Sequence, residues 1–198
     1  MSDADWAVPM LTGRHVQLVP LDHAHAHGLA RAAADGEVWS LVYTSVPAPG
    51  TESAYIEDAL AMRDTGDSMP FAVLDAQGDV VGSTRYYMID RSVPRLHIGY
   101  TWYASRVQRT ALNTEAKRLL LGHAFDVLGC EVVVFETSHL NLRSQAAIQR
   151  LGAKPEGVLR AHMRHRDGSL RDTHSFSIVR AEWPDVRARL DARMEQPA

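Results

Sequence analysis

Cysteine is almost missing from this chain. Cys130 is the only one in 198 residues, so no intrachain disulfide can staple the fold, and its place inside an apolar run suits a buried packing residue better than a nucleophile. Also absent is any apolar run approaching ~18 residues, the length a membrane-spanning helix needs. Charge of one sign is not in excess. A net charge of −3 supplies no global basic field and argues against a dedicated nucleic-acid binder, although basic residues do cluster between Arg160 and Arg171. The opening Met-Ser-Asp-Ala-Asp-Trp has no charged and then apolar leader, so the expectation is a cytoplasmic protein with no membrane partner. His23, His25 and His27 invite a metal reading, but only His23 and His27 share a helix face and no cysteine or carboxylate pattern accompanies them; no metal site is expected. Neither an internal repeat nor a low-complexity tract is visible.

What is present is ordinary for a globular domain: hydrophobic residues make up 45% and charged residues 23%, and a chain of this length buries about 70% of its unfolded surface in one domain. The expectation is a single domain over residues 1–198, with its core at about 11–183 and a C-terminal helix at 182–195. Alternation through His15 to Val19 predicts a first strand within Leu11 to Leu21, ending at Pro20. Asp22 then caps a helix through Ala34, and Thr51 caps another to Arg63. Pro70 to Leu74, Val80 to Ile89 and Arg95 to Tyr103 read as three strands, the first two joined at Gln77-Gly78-Asp79. With no helix between them they should be antiparallel. The strand from Cys130 to Thr137 follows a helix and should run parallel to its predecessor. A short helix from Ser144 to Leu151, ended by Gly152, leads to strands Glu156 to Met163 and Arg171 to Val179 around a turn at Asp167-Gly168.

The stretch from Arg106 to Leu128 is the centre of this pattern. Ala116, Leu119, Leu120, Ala124, Val127 and Leu128 recur at three- and four-residue steps while Lys117, Arg118 and Asp126 fall off the stripe, which predicts an amphipathic helix with one buried face. Asn113 is the expected N-cap, with Glu115 in the first turn and Gly129 just past the end. The strand-like Tyr100-Thr-Trp-Tyr103 thus passes through a short polar loop into a helix N-terminus. Backbone N–H groups from Val107 to Thr114 and the positive end of the dipole suit a pyrophosphate there, with Gln108 and Arg109 near its oxygens. The same pattern also occurs as plain structure in α/β proteins.

Behind this helix come Asn141-Leu-Arg-Ser144, Leu151-Gly-Ala-Lys-Pro-Glu-Gly-Val-Leu-Arg160 and Asp167-Gly-Ser-Leu-Arg-Asp172, at short intervals. With the central loop and helix they make the chain resemble the GCN5-related N-acetyltransferases (GNAT), and more narrowly the RimJ/RimL-like branch of ribosomal-protein N-acetyltransferases, from about Leu11 to Trp183. The resemblance implies an α+β GNAT fold, a central mixed, mostly antiparallel sheet of about six to seven strands flanked by four to five helices. It implies an acyl-CoA-dependent N-acetyltransferase, with acetyl-CoA as cosubstrate and no metal, that moves acetyl directly to a primary amine. It also implies that the coenzyme lies along Trp102 and Tyr103, against Val107, Gln108, Arg109, Thr110, Ala111, Leu112, Asn113 and Thr114, and beside Asn141, Arg143 and Ser144, with Ser144 the proton donor to the departing thiolate. The family loop has the pattern Gln/Arg-x-x-Gly-x-Gly/Ala, and here Ala111 and Asn113 stand in place of the glycines. Alanine adds only a methyl and asparagine tolerates the left-handed region, so the loop can keep its shape.

Acyl transfer needs a neutral amine. At pH 7 an α-amino group is roughly 10% neutral, whereas deprotonating a lysine costs about 4 to 5 kcal/mol. A peptide N-terminus therefore needs only a modest base and is the favoured acceptor. The glutamate that ribosomal-type members carry a few residues after Glu-Gly is replaced here by Met163. His139, His162 and Glu136 remain as candidates for the base, with no choice among them. The alternatives are a small-molecule amine acetyltransferase and a noncatalytic acetyl-CoA-binding module with a degenerate loop. The basic run Arg160, Arg164, His165, Arg166 and Arg171 either favours an acidic or phosphate-bearing acceptor or is a solvated hairpin tip. Expected partners are acetyl-CoA and the amine, with a homodimer left open and no nucleic acid bound directly.

Overall fold

The computed structural model describes residues 6–195. Eight strands form one sheet: β1 (Leu11–Thr12), β2 (Val16–Pro20), β3 (Ser68–Asp75), β4 (Val80–Asp90), β5 (Arg95–Tyr103), β6 (Val132–Ser138), β7 (Lys154–Arg164) and β8 (Leu170–Val179), in the spatial order β1-β2-β3-β4-β5-β6-β8-β7. Only β5 and β6 run parallel; every other neighbouring pair is antiparallel. The sheet has one strand more than the top of the expected range. The first predicted strand breaks at Gly13, whose N–H donates to the Val16 carbonyl at 2.9 Å, and the two pieces pair as a short hairpin.

Five helices flank the sheet: α1 (Ala26–Ala34), α2 (Glu52–Asp64), α3 (Ala111–Gly122), α4 (Leu142–Leu151) and α5 (Trp183–Glu195). Adjacent strand residues point to opposite faces, and β4 shows which helices lie where. Arg85 reaches the α2 side chains Tyr55 and Met62, while the Tyr86 hydroxyl donates to the Leu120 carbonyl of α3 at 2.6 Å. Between these layers Phe71, Tyr86, Leu96, Leu120, Phe125 and Leu128 are fully buried. Asp22 caps the 3-10 turn leading into α1, accepting from the Ala24 N–H at 2.7 Å, while its own N–H donates to His25 Nδ1 at 3.1 Å. His25 is thereby spent on a helix start.

The central helix departs from its sequence pattern in three places. Its N-cap is Thr110 rather than Asn113: Thr110 Oγ1 accepts from the Leu112 N–H at 3.3 Å and donates to the Val107 carbonyl at 2.7 Å, so the helix begins one turn earlier and Asn113 lies inside it. Its far end, His123–Val127, winds as a π-helix, with the Leu128 N–H reaching back to the His123 carbonyl at 2.9 Å. That wider turn rotates the last residues about the axis. Phe125 goes into the core at 1% exposure and Val127, expected inside, is 54% exposed. Lys117, expected outside, is buried, and its Nζ donates to Thr101 Oγ1 at 2.9 Å. Thr101 Oγ1 in turn lies 2.8 Å from Thr84 Oγ1. Glu115 is also buried and clamps the β1–β2 turn, taking the N–H groups of Arg14 and His15 at 2.8 and 2.6 Å.

Candidate active site

β5 and β6 pair only from Arg95–Val132 to His97–Val134. Beyond that they part, and β6 continues to Ser138 alongside β8 alone, so the edge of β5 from Ile98 to Tyr103 has no ladder partner on that side. On the other side β5 stays with β4 but carries one extra residue, since Ser83 opposes Trp102 while Arg85 opposes Gly99. Tyr100 sits in this bulge at a φ of 49°, and a bulge bends the strand that contains it. Gly82 allows the contact just past the bulge, because a Cβ there would stand 2.1 Å from the Trp102 carbonyl oxygen.

From the divergent edge the chain makes a 3-10 turn at Ser105–Val107 and enters α3. The left-handed residue of this loop is Arg109, at a φ of 64°. Ala111 and Asn113 are helical, so the conformation asks for glycine at neither position. The Gln108 side chain donates to the Tyr103 carbonyl at 3.0 Å and accepts from Arg143 Nη2 at 3.0 Å. One residue thereby joins the end of β5, the loop and the first turn of α4. α4 starts at Leu142, two residues before the expected Ser144, because Asn141 Oδ1 caps the Ser144 N–H at 3.0 Å. Asn141 is thus the cap, and the half-buried Ser144 hydroxyl makes no hydrogen bond to another described residue.

The remaining sequence candidates divide. Arg109 and Thr110 are exposed beside the start of α3, where the first N–H groups of a helix lack intrahelical partners. The Leu112 N–H is committed to Thr110 and its side chain is in the core. Trp102 turns its indole to the opposite face, where Nε1 donates to the Tyr55 hydroxyl at 3.3 Å, so only its backbone faces the divergence. Tyr103 is buried and burial raises its hydroxyl pKa.

The α2 face of the sheet carries a polar and aromatic cluster that sequence reasoning missed. Tyr87 packs against His97 and Tyr100, with ring centroids 5.1 and 5.2 Å away, and burial raises its hydroxyl pKa, with Glu136 adding to the effect. Burial, reinforced by Arg95, holds His97 down at about 4, so it is neutral. Arg85 lies beneath Tyr55 and Tyr100, its guanidinium carbon 4.8 and 4.4 Å from their ring centroids. The available signal was the alternation Ser83, Arg85, Tyr87 within a strand, which puts polar groups on one face.

Of the base candidates, His139 Nδ1 accepts from the Asp172 N–H at 3.1 Å, which leaves Nε2 carrying the proton. His162 Nδ1 lies 3.2 Å from Thr173 Oγ1. Met163 is exposed opposite Arg171. The basic run is largely structural: Arg164 donates to the Gly168 carbonyl at 2.7 Å, and buried His165 sits between Ser138 Oγ at 2.9 Å and Ser169 Oγ at 3.0 Å. Arg166 donates to the carbonyls of Trp39 at 3.1 Å and Val46 at 2.6 Å. The β7–β8 tip is thereby latched to the loop between α1 and α2, and these two segments border the cluster. Cys130 is buried and its thiol is pushed up to about 11 by burial, an inert group at neutral pH.

Comparison with known proteins agrees with this geometry. Residues 15–154 match the family model described as an acetyltransferase (GNAT) domain. A Thermus-type relative, a T. thermophilus protein assigned to the acetyltransferases, superposes with a TM-score of 0.82 at 38% identity, over 95% of this chain and 98% of that one. A GCN5-related N-acetyltransferase from Brucella melitensis gives 0.84 at 30% identity, over 94% and 86%. RimJ of Mycobacterium smegmatis, solved in complex with CoA-disulfide, shares the fold with a TM-score of 0.78 at 21% identity, over 94% and 93%. Among curated proteins none matches the sequence.

Proposed function

The chain belongs to the GNAT acetyltransferases, and we propose that it transfers acetyl from acetyl-CoA to a primary amine, with a peptide N-terminal α-amine favoured over a lysine side chain. One observation carries the reading: the unpaired edge of β5 runs directly into the capped N-terminus of α3. Acetyl-CoA supplies an acyl group activated on sulfur. The residues fit such a group, since an unpaired strand edge offers N–H and C=O groups to amides and the α3 N-terminus suits phosphates.

The backbone of Trp102 and Tyr103 orients the coenzyme arm. The amides from Val107 to Thr114, apart from the committed Leu112 N–H, hold the pyrophosphate together with Arg109 and Arg143. Gln108, tied to Tyr103 and Arg143, fixes the loop rather than pointing freely at a phosphate. Asn141 fixes the first turn of α4, and Ser144 Oγ delivers a proton to the leaving sulfur. With Met163 in place of a carboxylate, an acceptor that is already partly neutral at pH 7 is favoured. Glu136 and His139 line the same side and can accept the amine proton through water.

The test is turnover at pH 7 and pH 9 of a peptide with a free N-terminus and of the same peptide N-blocked but carrying lysine, alongside calorimetric binding of acetyl-CoA. Faster turnover of the free N-terminus at pH 7 is expected. Faster turnover of the blocked peptide reverses the preference; coenzyme binding with no turnover of either peptide points to small-molecule amines or to a noncatalytic role.

A further inference from the structure

Arg85 is 2% exposed, yet no carboxylate among the described residues lies within ion-pair distance of it. Its guanidinium meets two tyrosine faces and, through Nη1, the Met62 Sδ at 3.5 Å. Nε is buried with no hydrogen-bond partner. Ring faces and a thioether are weak compensation for a desolvated cation, and buried arginines are ordinarily paired. The rings cover both flat faces of the group and Met62 takes one end. What is left is the edge formed by Nε and Nη2, two parallel N–H donors whose spacing matches the two oxygens of a carboxylate.

Position gives this edge a meaning. Arg85 opposes Gly99 at the bulge, on the face away from α3 and beside the point where β5 leaves β6. Tyr100, 37% exposed on the bulge, forms the cover, so rotation of one surface side chain opens the edge. On β8, Arg171 Nε is likewise buried and unpaired, and it lies near enough to act on the Tyr87 hydroxyl. Two orphan arginine donors thus flank one aromatic cluster at the acceptor side of the divergence.

We propose that Arg85 is a specificity residue that binds a carboxylate carried by the acceptor, so that the substrates are amines bearing an acid group, either peptides with an acidic residue at the N-terminus or free amino acids. This rests on the acetyl-transfer reading and narrows its substrate class. Matched pairs differing only by carboxylate or carboxamide test it: tetrapeptides beginning with Asp or Glu against Asn or Gln, and free amino acids against their α-amides. Each is measured by turnover and, independently of acetyl-CoA, by the shift in melting temperature of the full chain.

The wild type should favour the carboxylate member by about tenfold or more in kcat/KM and show the larger melting shift with it. Whichever pair shows the effect identifies the source of the carboxylate. Arg85→Met, which replaces the unpaired cation by an apolar side chain, should fold with equal or higher stability and treat both members alike; Arg85→Lys should keep part of the preference, having charge without the fork. Equal treatment of both members by the wild type overturns the proposal, and so does an undiminished preference in Arg85→Met. Absence of acetyl-CoA binding would sink the transfer reading alone, since the melting shifts still decide the role of Arg85.

Discussion

Replacing Lys117 by methionine should make the protein more stable at neutral and acid pH. Burial moves its ammonium from 10.5 down to about 7, so the folded protein holds a neutral amine above pH 7 while the unfolded chain stays protonated up to about pH 10.5. The unfolded state therefore binds more protons between these values. Stability consequently rises with pH across that window, and the full penalty applies below it. A shift of this size corresponds to roughly 4 to 5 kcal/mol. Against it stands the lost hydrogen bond to Thr101, worth about 1 kcal/mol; Thr101 still has Thr84 at 2.8 Å, so no partner is orphaned. The expected net gain for Lys117→Met is about 3 kcal/mol at pH 6, shrinking towards zero or below by pH 10. Urea unfolding of both proteins at pH 6, 7, 8 and 9 measures the difference, in which other titrating groups cancel. A difference that stays constant with pH refutes a buried lysine with a depressed pKa.

Three further substitutions test the candidate site. Ala111→Asp puts a carboxylate at the start of α3 and should weaken acetyl-CoA binding by at least ~1 kcal/mol in calorimetry; unchanged affinity removes this loop from the coenzyme site. Ser144→Ala should lower kcat more than it raises KM, as expected of an interaction made mainly in the transition state, and a change confined to KM makes the serine a binding residue. Gly82→Ala forces a Cβ to within 2.1 Å of the Trp102 carbonyl oxygen, so β4 and β5 must move apart; a loss of about 1–3 kcal/mol or more in denaturant unfolding is expected.

Legibility in the sequence followed the range of the interactions. β5 was read residue for residue, from Arg95 to Tyr103, because alternation and the flanking Pro94 are local. The antiparallel run of three strands and the parallel step to β6 followed from the presence or absence of an intervening helix. The π-turn at the end of α3 escaped, since a slip of one residue leaves the apolar composition unchanged and alters only which residues face inward. The burial of Lys117 escaped because its partners Thr101 and Thr84 come from two other strands, and a lysine is expected outside. The cap moved from Asn113 to Thr110 because both residue types cap well, and the contact with Val107 decided between them. Most of the coenzyme-side candidates gather along the β5, α3 and α4 junction, as the motif spacing suggested. The acceptor side did not declare itself, because Arg85, Tyr55 and Tyr100 meet only when α2 folds across the sheet.

The latch made by Arg166 is indifferent to side chains. It holds the loop between α1 and α2 through the main-chain oxygens of Trp39 and Val46, and its own N–H approaches the Val42 carbonyl at 3.4 Å. Any residue but one that distorts the backbone presents the same carbonyl, so Trp39, Val42 and Tyr43 can be exchanged while the loop stays anchored to the β7–β8 tip. Attachment and chemical identity are thereby uncoupled on that wall, and libraries randomised at these three positions can search for new acceptors without first having to solve the problem of folding.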